Sequence, residues 1–182
     1  MTGVMSWSTV TADDFTADGI KYSGDEATMS ATVTGLADGN EATDIVIPAS
    51  VNGYSVDAIG RSAFHGAPIE TVVLPNSIKT MKNSAFRKCP YLTSINIPAS
   101  VTTVEENVFF NDSCLQTVTF DQPSSLTEIA FGMFDNTGIT SIDIPSSVTA
   151  IRQYAFYECK NLKSIVIPKS VTLIEYDAAH RA

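Results

Sequence analysis

The 182-residue sequence predicts a solenoid of short stacked β coils, on three observations. A seven-residue motif recurs along the chain at a spacing near 23, its apolar residues alternate, and a small residue followed by Phe recurs at a set distance behind it. Self-similarity at a period of about 20–50 residues marks architectures whose units cannot bury their apolar faces alone.

The motif reads Ile69–Pro75, Leu92–Pro98, Ile139–Pro145 and Leu162–Pro168, with apolar residues at positions one, four and six and Pro at seven. Leu115–Asp121 follows it except for the Pro, and Ala42–Pro48 is an earlier, less complete copy. First positions at 42, 69, 92, 115, 139 and 162 are spaced by 27, 23, 23, 24 and 23 residues. That is the range of leucine-rich repeats, about 20–29 residues. Pairs such as Ile95 and Ile97, Ile142 and Ile144, or Ile165 and Ile167 read as short strands with one buried face. The Pro lacks a backbone donor, so the chain turns after each strand. Ser50, Ser77, Ser100, Ser125, Ser147 and Ser170 occupy that turn, where a hydroxyl satisfies backbone groups freed by the bend. The first unit carries extra residues around Asn52-Gly53, a tight-turn signal that predicts a small hairpin. On the return limb, Phe64, Phe86, Phe109, Phe134 and Phe156 recur once per unit and predict a stacked spine. Coils at about 4.8 Å per strand then share one continuous core.

Composition narrows the function. Eleven Lys and Arg stand against 20 Asp and Glu, a net charge of −9. This excludes the clustered cations that phosphate backbones require, so no nucleic-acid partner is expected, and anionic membrane surfaces are excluded likewise. With 44% hydrophobic and 17% charged residues the chain is not a disordered segment. No apolar run approaches the ~20 residues of a membrane span, and Met1 to Val10 lacks the positive region of a signal peptide. Residues 1–60 hold nine acids and one base, which sets off an acidic N-terminal region from a nearly neutral remainder.

The pattern resembles the BspA-type leucine-rich repeats of secreted and surface proteins. The resemblance covers residues 42 to about 178 and includes Cys89 and Cys159, three residues after Phe86 and Phe156. It implies a leucine-rich-repeat solenoid of five to six right-handed coils over 42–178, an acidic N-terminal β-hairpin cap over 1–41, and a tail or unfinished coil over 179–182. In the cap, Phe15 to Tyr22 and Ala27 to Val33 form the hairpin. Asp121 replaces the motif's Pro, and Ala179 replaces its Phe.

Chemistry-bearing constellations are few. The three cysteines, Cys89, Cys114 and Cys159, are odd in number and too few for a disulfide scaffold, so they read as small hydrophobes in core slots. Asp14 to Asp25 half-fits a calcium loop, yet Lys21 and Thr16 stand where an apolar residue and a ligand belong, and an acidic turn before a strand is the plainer reading. His65 and His180 fall in no nucleophile or metal spacing, and no phosphate loop or dinucleotide fingerprint is present. No catalysis, cofactor or metal is expected.

What remains is surface. The outward positions three and five of the strands line one concave sheet, small, polar and flat. Its candidate binding residues are Asp44, Thr71, Val73, Ser94, Asn96, Thr117, Thr119, Ser141, Asp143 and Ser164. No aromatic or Arg hot spot marks that face, which suits weak, multivalent contact. Lys79, Lys82, Arg87 and Lys88 in one coil, against Glu105, Glu106, Asp112, Asp121, Glu128 and Asp135 in the next two, would make a dipole along the array. The resemblance implies extracellular or cell-surface display and adhesion to a protein or glycoprotein. A structural spacer, assembling through the C-terminal coil, is the alternative reading. Ice or crystal-surface binding by the Thr and Ser rungs ranks below both, because Val, Asn and Asp interrupt the ladder.

Overall fold

A computed structural model describes residues 13–182, so Met1 to Val10 lie outside the described residues. The described chain opens with an antiparallel meander of β1 (Asp13–Ala17), β2 (Ile20–Asp25) and β3 (Ser30–Leu36). Asp14 to Asp25 is therefore a hairpin turning at Asp18 and Gly19, both at positive φ. Six coils follow, each with a front strand and a return strand. The first has β4 (Asp44–Val46) and the hairpin β5 (Ser50–Val51) and β6 (Tyr54–Ile59), which turns at Asn52 and Gly53. Then come β7 (Thr71–Val73) and β8 (Thr80–Met81), β9 (Ser94–Ile97) and β10 (Thr103–Val104), and β11 (Thr117–Phe120) and β12 (Glu128–Ile129). The last two coils hold β13 (Ser141–Asp143) with β14 (Ala150–Ile151), and β15 (Ser164–Val166) with β16 (Leu173–Ile174).

Coils pair in parallel at repeat-equivalent residues, as Asp44 with Thr71, Ser94 with Thr117 and Ser141 with Ser164. The N-terminal meander joins the return side, because β3 pairs in parallel with β6, which pairs with β8. A third column of backbone bonds runs through the Phe turns. Phe64 N–H donates to Ala85 O at 2.8 Å, Phe86 to Val108 O at 3.0 Å, Phe109 to Met133 O at 3.1 Å, Phe134 to Ala155 O at 2.9 Å and Phe156 to Ala178 O at 2.7 Å.

Each of those five turns, and the equivalent turn around Ala179, is bounded by two left-handed residues: Ser62 and Gly66, Ser84 and Lys88, Asn107 and Asn111, Gly132 and Asn136, Tyr154 and Glu158, Asp177 and Arg181, with φ between 53° and 70°. For a non-glycine residue that conformation costs roughly 1 kcal/mol, and it persists because it aims alternate N–H groups at the next coil's carbonyls. Inside the turns the five phenylalanines stack with ring centroids 5.2, 5.6, 5.6 and 5.6 Å apart, and all are buried. Such offset stacks contribute about 0.5–1.5 kcal/mol per pair beyond the area they bury.

Three residues behind each Phe lies a second column: Ala67, Cys89, Asp112, Thr137 and Cys159. Cys89 Sγ donates to Phe64 O at 3.1 Å and Cys159 Sγ to Phe134 O at 2.9 Å, while Thr137 Oγ1 donates to Phe134 O at 2.8 Å. All three cysteines are free, and burial pushes the Cys89 and Cys159 thiols up. They are core residues with a weak donor.

Asp112 occupies the same column with its side chain inaccessible to solvent. Its Oδ1 accepts from Cys89 N–H at 2.8 Å, but Oδ2 has no partner among the described residues. Burial outweighs the backbone N–H bonds and lifts its carboxyl from the ordinary 3.8 to about 9. Asp112 is thus not a surface charge, which corrects its place in the dipole expected along the array. The turn serines also depart in part from expectation. Ser77 and Ser100 donate to Val56 O and Ile78 O at 2.6 and 2.7 Å, whereas the buried Ser147 and Ser170 hydroxyls find no partner among the described residues.

Two predictions follow from the column behind the phenylalanines. Folding takes up a proton on Asp112 at any pH between about 4 and about 9. Its contribution is complete below the ordinary carboxyl range and declines, by at most about 1.4 kcal/mol per pH unit, until pH passes 9. Asp112→Thr, which copies Thr137, should raise the urea midpoint at pH 8 more than at pH 4 and flatten the alkaline decline. In the native protein a thiol reagent should leave Cys89 and Cys159 unmodified and reach only the half-buried Cys114; denaturation should expose all three.

Candidate functional site

The front strands carry the ten candidate residues on their solvent side. Asp44, Thr71, Val73, Ser94, Asn96, Thr117, Thr119, Ser141, Asp143 and Ser164 are all exposed, while Ile45, Val72, Ile95, Val118 and Ile142 between them are buried. Strand alternation produces this: the same pleat that sends one side chain into the core sends its neighbour out. Side chains then bond along the array. Thr71 Oγ1 donates to Asp44 Oδ1 at 2.6 Å, and Thr119 Oγ1 donates to Asn96 Oδ1 at 2.8 Å. Asn96 Nδ2 donates in turn to Asp121 Oδ1 at 3.1 Å. Asp121, lacking proline's ring, also donates its own N–H to Ile97 O at 3.0 Å, so the odd residue of the motif adds a rung.

The face is not flat, however. Its ladder forms three separate pairs, β4 with β7, β9 with β11, and β13 with β15. Between β11 and β13 the backbone contact thins to a bond from Thr140 N–H to Gln116 O at 3.3 Å. There a depression of about 360 Å³ opens, lined by Gln116, Thr117, Thr119, Gln122, Ser141 and Asp143 among others. The fourth unit has the longer crossing here, Phe120 and Leu126 being six residues apart while Ile97 and Val101 are four, although the ladder also breaks between β7 and β9, where no residue is added. The return ladder is interrupted between β10 and β12. Four candidate residues thus converge around one recess, and the other six lie along the rungs beside it. Gln116 and Gln122 were missed; their signal is the amide carried at position two and just past the missing Pro.

Val46, Val73 and Val166 add exposed apolar area to a face expected to be polar. On the return limb, Arg152 forms ion pairs with Glu128 at 2.7 Å and Glu175 at 3.0 Å, tying three coils together. The Gln153 N–H and Arg152 hold the Glu175 carboxyl below its usual range. Arg87 lies over the Phe110 ring at 4.6 Å. Farther along that edge Phe131, Tyr154, Tyr157 and His180 form a chain of aromatic contacts at 5.2–5.9 Å. Reading by repeats passed over these residues because their positions vary from unit to unit.

Parallel front strands, proline-terminated turns and a one-Phe-per-coil spine define a leucine-rich-repeat solenoid. Residues 92–181 match the family described as a BspA type leucine rich repeat region, so the repeats of this stretch are of that type. Among solved structures it is similar to the leucine rich repeat protein of T. pallidum, with TM-score 0.77 and 21% identity over 89% of this chain and 81% of that one. A leucine-rich repeat protein from Eubacterium ventriosum gives TM-score 0.73 at 20% identity, covering 96% of this chain and 51% of that one. The pneumococcal vaccine antigen PcpA gives 0.63 at 18%, covering 93% and 52%. This likeness is one of fold, and the chain spans about half the length of the last two proteins. No curated protein matches it in sequence.

Proposed function

We propose that this chain is a noncatalytic binding module displayed at the cell surface or secreted, with residues 42–178 as the binding array, 1–41 as its acidic cap and 179–182 as a tail or unfinished last coil. Its partner is an extracellular or cell-surface protein or glycoprotein, met by the front strands. One observation carries the reading: the front ladder opens between β11 and β13, where Thr117, Thr119, Ser141 and Asp143 surround a recess. Hydroxyls and amides there give directional bonds, and the exposed Asp44, Thr71, Val73, Ser94, Asn96 and Ser164 extend the footprint. Few aromatic anchors make single contacts weak, so strength comes from many copies on one surface. Repeats of a type known for surface proteins support the location, as does the fold shared with a vaccine antigen. No helix among the described residues is long and apolar enough to cross a membrane.

The test is binding of the chain, dense on a surface and as free monomer, to a panel of matrix and cell-surface glycoproteins. Asn96→Lys, Thr119→Arg and Asp143→Lys combined should abolish density-dependent capture while leaving the melting temperature within a degree or two, because exposed substitutions usually shift stability by under about 0.5 kcal/mol. Unaltered capture by the triple variant would remove the front face from consideration.

The last coil favours a second reading, as an assembly element. Ile167, Leu173 and Ile174 are exposed, although the matching Ile144 and Ile151 one coil earlier are buried. An apolar end with unpaired strand edges invites another coil. Sedimentation should then show concentration-dependent dimers that Leu173→Asp with Ile174→Lys abolishes; a monomer at all concentrations would dismiss self-assembly.

A further inference from the structure

The turn edge of the last three coils holds a recess that the front-face reading does not use. It measures about 340 Å³ and is lined by Asp135, Tyr154, Tyr157, Tyr176, Asp177 and His180. The Tyr154 and Tyr157 rings stand 5.2 Å apart at 78°, forming two walls of a corner. Tyr176, 80% exposed, adds a third aromatic group to the lining.

The aromatic residues here are unusual for the repeat. Tyr154 sits at φ 59°, where the preceding coils place Ser62, Ser84, Asn107 and Gly132. A bulky ring in the left-handed region is a genuine outlier and costs more than the residues it replaces. Tyr176 follows Arg61, Asn83, Glu106, Phe131 and Gln153 at its own position, so no repeat requirement demands an aromatic there either.

The charge of the recess is equally particular. Asp135 makes no side-chain hydrogen bond among the described residues, and burial together with the nearby Glu158 lifts its carboxyl to about 6. Among the described residues the Asp177 carboxylate meets only His180, at 3.6 Å. The two neighbouring cations, Lys160 and Arg181, are both held by Glu158, at 2.7 and 2.9 Å. Two carboxylates therefore face a pocket of tyrosine rings with no fixed cation between them. The His180 ring lies on Tyr157 at 5.9 Å and 14°, covering one face of that ring and closing one side of the recess.

We propose that this corner binds an alkylated ammonium group, with Tyr154, Tyr157 and Tyr176 facing its methyl groups and Asp135 and Asp177 answering its charge. Perpendicular rings suit a compact, near-spherical cation better than a flat sugar, which stacks on a single face. Tyrosine faces attract such a cation through the ring quadrupole, and a quaternary ammonium sheds water readily enough to enter. The group could arrive as a free small molecule or as a lipid headgroup, since both carry the same chemistry.

Tetramethylammonium chloride titrated into the full chain against sodium chloride at equal ionic strength, followed by tyrosine fluorescence and calorimetry, should give saturable one-site binding. The uncharged shape analogue 3,3-dimethylbutanol should bind at least about tenfold more weakly. Tyr157→Ala and Asp135→Asn should each weaken binding about tenfold, whereas Tyr157→Phe, which keeps the ring, should retain it. Tyr176→Ala, at an exposed position that leaves the fold intact, serves as a second test of the ring requirement. Sedimentation with phosphatidylcholine vesicles separates the sources: capture places the group on a membrane, and its absence alongside tetramethylammonium binding places it on a free molecule. Equal affinity for the neutral analogue, no saturation, or indifference to both Tyr157→Ala and Tyr176→Ala would overturn the proposal.

Discussion

The stack of Phe64, Phe86, Phe109, Phe134 and Phe156 is the interaction on which the other features rest. A ring-to-ring distance of 5.2–5.6 Å exceeds the natural strand separation of about 4.8 Å only slightly, so phenylalanines at one position per coil and strands at another can keep the same step. That shared step lets three columns of backbone bonds run in parallel along the array. It also makes the left-handed turn residues tolerable, since in the first four of these turns both of them donate their N–H to a carbonyl of the next coil. A single coil has neither the stack nor the bonds, which is why stability here belongs to pairs of coils and not to any one of them.

The same logic explains where the array departs from regularity. Behind the phenylalanines, the slot that takes Ala67, Cys89, Thr137 and Cys159 accepts a small side chain able to donate to a backbone carbonyl or to need no partner at all. Asp112 fits its volume but not its polarity, and holding its proton is the least costly solution for a carboxyl with one unpaired oxygen. On the surface, the two residues added between Phe120 and Leu126 leave the Phe column unbroken, with Phe109 and Phe134 still 5.6 Å apart. The insertion coincides with the one break in the return ladder, between β10 and β12, while the buried stack runs through. A recess forms without loss of the core.

Much of this was legible in the sequence. Alternating Ile95 and Ile97, the terminating prolines, the Asn52-Gly53 hairpin and the phenylalanine spine all follow from local rules that agree with the global fold. The outward positions of the front strands were legible for the same reason, since a period of two leaves no choice of face. The recess between β11 and β13 was not, because equal repeat spacing does not say which front strands pair and which part. Nor was the buried state of Asp112, whose neighbours in sequence, Asn111 and Ser113, are both solvent-accessible. The tyrosine corner escaped because Asp135, Tyr157 and His180 occupy one column only after the chain is wound. Counting repeat-locked positions directs attention away from columns whose identity changes.

Those changing columns are where such a scaffold can carry specificity. A residue locked by the repeat is committed to the stack or to a rung, and altering it disturbs two coils at once. At an outward turn position such as those of His65, Arg87, Phe110, Asp135, Tyr157 and His180, the inter-coil backbone bonds are made by main-chain atoms such as the carbonyls of Arg87, Phe110 and Asp135, whatever side chain the position carries. Nevertheless it stands one coil step from its neighbours, near enough for Arg87 to reach Phe110 and for His180 to stack on Tyr157. Side chains there meet at fixed distances that the core sets and their own identities do not disturb. The front face works differently: its hydroxyls are spaced by the ladder and satisfy one another in part, as Thr119 and Asn96 do, so a partner must compete with bonds already made. Shallow, repeated contact is the natural use of the front sheet, and compact recognition the natural use of the turn edge.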